Sequence, residues 1–120
     1  MKILTHHIYE YQKGLRNLVM HTLPTCLQVQ VTGKLDRYGI DFHIHGGGKD
    51  KIIVFFGSPA SVAVVRHLIR GRKFCELTPE EDFVLGSMLG YDIGKQCERY
   101  LKKLTPLAVF PEQKGTGTSG

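Results

Sequence analysis

The sequence predicts an α/β, more narrowly α+β, fold: a three-stranded mixed sheet covered by about five helices, in the order α-α-β-β-α-β-α-α. Three observations carry this. Ile40, Phe42 and Ile44 alternate with Asp41, His43 and His45, the period of a half-covered strand. Lys51 to Phe56 is continuously apolar after its lysine, as in a strand covered on both faces. Several segments carry apolar residues at three- and four-residue spacing, the period of a helix.

Taken in order, Thr5 to about His21 reads as an amphipathic helix, with Ile8, Tyr11, Leu15, Leu18 and Val19 on one stripe. Gly14 weakens it and Leu23-Pro24 breaks it. Residues 25–38 fit two periods. Leu27, Val29 and Val31 alternate as in a strand, while Leu27, Val31, Leu35 and Tyr38 share a helix face that ends at Gly39; the helix is favoured. Gly46-Gly47-Gly48-Lys49-Asp50 connects the first strand to the second.

Gly57-Ser58-Pro59 turns into a helix running to Arg70, with Ser58 as cap and Pro59 at the first helical position. Lys73 to Leu77 reads as a short third strand. Thr78-Pro79-Glu80-Glu81 has capping-box spacing and opens a helix carrying Phe83, Val84, Met88 and Leu89. A last helix aligns Ile93, Cys97, Tyr100, Leu101 and Leu104, with Lys95, Glu98, Arg99, Lys102 and Lys103 outside, and stops at Thr105-Pro106. Residues 1–112 are expected to form one domain, and 113–120, which lack an apolar anchor, a flexible tail.

Composition narrows the function classes. The chain has 120 residues, 42% hydrophobic and 22% charged, within the range of a folded globular domain. The N-terminus lacks the apolar run of a signal peptide, and no stretch reaches the roughly 18 apolar residues of a membrane span. Cys26, Cys75 and Cys97 stand apart with no C-x-x-C pair, as in a reducing compartment, so a cytoplasmic location is expected. The net charge of +5 suggests an acidic partner. Arg66, Arg70, Arg72 and Lys73 cluster, as do Lys95, Arg99, Lys102 and Lys103. Without interleaved aromatics or a reading motif, nucleic acid is not the expected partner.

Three clusters are candidate sites. Asp41, His43 and His45 project from one strand face, and two imidazoles with a neighbouring carboxylate are metal-ligand chemistry. Zinc would need further ligands, which His6, His7 or Glu10 could supply if the first helix packs nearby. Gly57, Ser58 and Ser61 lie at a helix start, where backbone N–H groups hold anions or nucleotide phosphates; the segment lacks the P-loop and dinucleotide patterns, and Pro59 removes one donor. His6 and Glu10 share a helix face. Nucleophilic catalysis finds no G-x-S-x-G and no local base beside a cysteine, so no catalytic residue and no cofactor is expected.

The blocks HIYEYQKGLRNLV, GIDFHIH with KIIVFFG, and LTPEEDFVLGSMLGYDIGKQCERYL resemble a small bacterial family of unknown function across nearly the whole chain. The resemblance implies three strands, five helices, a helix over 25–38 and a homodimer, and it carries over no site residue. It also suggests a flavodoxin as partner class. The expected function is thus a non-enzymatic accessory or regulatory protein acting through protein contacts.

Overall fold

The computed structural model describes residues 2–104. Its elements run α1 (Lys2–Gln12), β1 (Leu18–Pro24), α2 (Gln28–Arg37), β2 (Asp41–Gly46), β3 (Lys51–Gly57), α3 (Pro59–Ile69), α4 (Pro79–Met88) and α5 (Ile93–Leu104), with short 3-10 turns at Thr25–Leu27 and Phe74–Glu76. The α+β class with three strands and five helices agrees with expectation. The sheet is antiparallel throughout, where a mixed one was expected, and its strand order is β1-β3-β2.

Strand β3 is central because its side chains are apolar on both faces. Ile52, Val54 and Phe56 join Leu4 and Ile8 of α1, Val31 and Leu35 of α2, and Val19 and Leu23 of β1 in one core. Ile53 and Phe55 join Val62, Val65, Leu68 and Ile69 of α3 and Leu85 of α4 in a second core on the opposite face. The result is three layers, helix on sheet on helix. Both covers come from this same chain, so the doubly apolar strand does not by itself call for a second subunit.

Two segments differ from their sequence pattern. The first helix stops at Gln12, and Leu18 to Pro24, read partly as its continuation, is the edge strand β1. Gly14 adopts a left-handed φ of 78°, and the N–H groups of Gly14 and Leu15 return to the carbonyls of Tyr11 and Glu10. That is a helix C-terminal cap, so Gly14 ends the helix rather than merely weakening it. Leu18 and Val19 then alternate between the two cores. Lys73 to Leu77, read as a strand, holds a 3-10 turn instead: Glu76 Oε1 accepts the Lys73 N–H at 2.7 Å and closes the segment on itself. Among the described residues there is no parallel strand after β3, and so no crossover from it.

Locally signalled elements form as their residues dictate. Ser58 Oγ accepts the Ser61 N–H, with Pro59 opening α3. Arg70, with left-handed φ, caps α3 one residue before Gly71. Thr78 and Glu81 form the reciprocal capping box of α4. Residues 25–38 are a turn and a helix, not a strand. The helix stop at 105–106, the boundary at 112 and the tail lie outside the described residues. Among the described residues, no helix is long and apolar enough to cross a membrane.

Candidate functional site

Strand β2 presents Phe42 and Ile44 to the α1–α2 core and turns His43 and His45 to the other face, as the alternation requires. His43 lies opposite Phe55 and His45 opposite Ile53. The His45 ring rests on Phe74, centroids 4.8 Å apart. His43 is half-buried, and burial, then the Arg66 charge, then His45 hold its pKa below the usual imidazole value. Arg66 donates to the Phe42 carbonyl at 2.9 Å. A guanidinium in this position favours neutral His43 but also opposes a bound cation. Asp41 is exposed at the strand's start. Among the described residues, no group of three or more His, Cys, Asp or Glu side chains could hold a metal ion.

The N-terminal histidines gather around Glu10. His7 Nδ1 is 3.1 Å and His6 Nε2 3.6 Å from its oxygens, with Arg16 at 3.6 Å. The hydrogen bond with His7 is the main cause of a lowered Glu10 pKa. The His7 ring meets His21 of β1 edge-on at 5.3 Å. Burial, followed by the charge of His7, lowers the pKa of His21. This cluster lies on the α1 side of the sheet and His43 and His45 on the α3 side, so the two candidate ligand sets are on opposite faces.

At the start of α3, Ser58 Oγ donates to Ser61 Oγ at 2.8 Å while accepting from Ser61 N–H, and Val62 N–H returns to the Ser58 carbonyl. The cap thus occupies groups that an anion would use. Gly57 has a separate structural cause: a Cβ there would stand 2.1 Å from the Asn17 carbonyl oxygen, which accepts the Ser58 N–H at 3.0 Å. Glycine lets β1 and β3 close at this end.

The arginine cluster after α3 is spent internally. Arg72 donates to Glu81 at 2.8 Å and to the carbonyls of Leu68 and Ile69, while Arg70 reaches Glu81 at 3.5 Å. Arg72 first, then the Thr78 N–H, hold the Glu81 carboxyl at about 2. One carboxylate thereby ties the end of α3 to the start of α4.

The feature that sequence reasoning missed lies in α5. Ile93, Leu101 and Leu104 are 59%, 47% and 43% exposed, and Cys97 is exposed beside them. The contact with α4 is made instead by Gln96, which is only 8% exposed, by Tyr100 against Phe83, and by Arg99, bound to both Asp82 oxygens at 2.7 and 3.1 Å. At about 100° of rotation per residue, Gln96 stands roughly 100° from the centre of the apolar stripe. A strongly amphipathic helix therefore turns its polar flank inward and its apolar stripe out. The alignment of Ile93, Cys97, Leu101 and Leu104 was visible in the sequence; its direction was not. Gln96 lies against Gly86, where a Cβ would come within 2.0 Å of Gln96 Oε1. Beside it a cavity of about 260 Å³ opens between β1, α4 and α5, lined by Met20, Phe74, Leu77, Leu85, Leu89 and Gln96 among others. No side-chain hydrogen bond holds the Gln96 amide within the described residues, and a buried amide left so costs about 1–3 kcal/mol.

Three layers around an antiparallel three-stranded sheet, with an amphipathic helical hairpin on one face, define a small α+β module. Within that class the chain belongs to the family described as "Protein of unknown function (DUF2023)", which matches residues 2–103. All three sequence blocks that carried the resemblance fall within the match. Comparison with curated proteins finds no match.

Proposed function

We propose that this chain is a non-enzymatic, cytoplasmic, homodimeric accessory protein that acts through protein contacts, with an acidic redox protein such as a flavodoxin as its partner. The observation that carries this reading is the outward apolar stripe of α5. Ile93, Cys97, Leu101 and Leu104 span the twelve residues of the helix, about 16 Å from first to last, with the spacing of a helix-pairing seam. A second copy offers the same seam, and a two-fold axis makes such a patch self-complementary. Roughly 150° around the helix, Lys95 and Lys102 make no ion pair among the described residues. They remain on the side away from the seam, available to steer an acidic surface. The internal pairing of Arg66, Arg70, Arg72 and Arg99 supports a protein partner over nucleic acid.

Light scattering at micromolar concentration should give twice the 13.5 kDa chain mass. Leu101→Asp should give a single-chain mass with an unchanged circular dichroism spectrum. Titration with a purified acidic flavodoxin should show binding that weakens with salt and falls about tenfold in Lys95→Glu/Lys102→Glu. A single-chain mass for the unmodified protein contradicts the dimer, and binding indifferent to salt and to the lysines contradicts the acidic partner.

A further inference from the structure

We propose that the cavity between β1, α4 and α5 binds a small neutral ring compound carrying a carboxamide or lactam edge. Much of its wall is apolar, formed by Met20, Phe74, Leu77, Leu85 and Leu89, and Asp82, Tyr91 and Arg99 also line it. Its buried polar side chain is Gln96, more than nine-tenths buried, with an amide that no described residue hydrogen-bonds. A primary amide presents a donor and an acceptor side by side. Another amide or lactam edge satisfies both at once, whereas a hydrocarbon satisfies neither. Arg99 also lines the cavity, but its guanidinium is bound on two nitrogens by Asp82. The local charge is therefore already balanced, and a neutral ligand fits better than an anion.

Size narrows the class. The cavity of about 260 Å³ exceeds the roughly 150 Å³ that holds a benzene and falls just short of the ~300–1,000 Å³ typical of drug-sized ligands. One ring with a small polar substituent matches it. Gly86 is part of the design, since any side chain there would displace the Gln96 amide. The cavity is on the flank of α5 that faces α4, so its occupancy does not depend on what covers the apolar stripe.

The test is a ¹H–¹⁵N NMR titration of the full chain with benzamide, using toluene and benzoate as controls. Benzamide should give saturable shifts of the Gln96 side-chain amide and of the Leu85 and Leu89 backbone amides. Toluene lacks the hydrogen-bonding edge and benzoate adds a charge; each should bind about tenfold more weakly. Gln96→Leu should lose about tenfold in benzamide affinity and all preference over toluene. Gly86→Ala, which keeps the amide but moves it, should lose the same preference. Absence of saturable shifts at these residues overturns the proposal. So does equal affinity of the unmodified chain for benzamide and toluene, a ratio that decides the matter even if a variant fails to fold.

Discussion

Strand β3 and helix α5 are both sharply patterned, and they are covered in opposite ways. From Ile52 to Phe56 the strand disappears into two cores built by α1, α2, α3, α4 and β1. Along α5 the apolar residues Ile93, Cys97, Leu101 and Leu104 face outward, while Gln96 occupies the buried contact. Apolar burial is roughly proportional to area removed from water, wherever the covering surface originates. The strand draws its stabilisation from within this chain. The α5 stripe stays largely exposed, and its length and spacing suit a second helix.

Substitutions can break this contrast. The largest effect should come from Phe56→Ala, which empties a fully buried site in the α1–α2 core: about 3–5 kcal/mol of stability lost in urea unfolding. Leu101→Ala, measured on dilute single chains, should cost well under 1 kcal/mol. Comparable losses at the two sites would mean that the stripe is covered within the chain after all. Gly57→Ala comes next, at about 1–3 kcal/mol, because its methyl group meets the Asn17 carbonyl at 2.1 Å and forces the β1–β3 junction apart. Unchanged stability would show that the strand ends yield freely. Thr78→Ala, removing the α4 cap, should cost about 1 kcal/mol in the same measurement.

Much of the covered region was legible because its signals are local. Alternation marked β2, the apolar run marked β3, and Ser58-Pro59 and Thr78-Pro79 announced α3 and α4 by chemistry confined to a few residues. β1 was harder: Leu18 and Val19 continue a three- and four-residue spacing from Ile8, and only the left-handed Gly14 separates the helix from the strand. Lys73–Leu77 carries strand-forming side chains but is held as a turn by Glu76 and flanked by Arg72, a tertiary choice invisible to periodicity. The candidate sites followed the same division. The strand face of His43 and His45 was read correctly, since it depends only on a period of two. The direction of the α5 stripe and the burial of Gln96 depend on how α5 rolls against Gly86 of α4, a contact across ten residues that composition does not encode.

Smaller effects concern protonation. Glu81, held at about 2 against an ordinary 4.5, binds its proton more weakly in the folded chain than in the unfolded one. Its contribution to stability is therefore complete above about 4.5 and lost as the pH falls from there toward 2. The melting-temperature gap between the native chain and Glu81→Gln should close over that window; a constant gap would contradict the pairing with Arg72. For His43 and His21 the depressed imidazole pKa likewise favours the native state above the ordinary value of 6.5, with that contribution lost as the pH falls through the folded value. Their NMR titration midpoints should lie below 6.5.

The exposed cysteines allow the most direct comparison. Cys26 and Cys75 lie in the two 3-10 turns, and Cys97 lies in the middle of the α5 stripe. Maleimide labelling, resolved by peptide mass spectrometry over a hundredfold range of protein concentration, reads all three in one sample. If α5 pairs with a second copy, Cys97 labelling should slow as concentration rises while Cys26 and Cys75 keep constant rates. Concentration-independent labelling at all three cysteines would contradict the pairing.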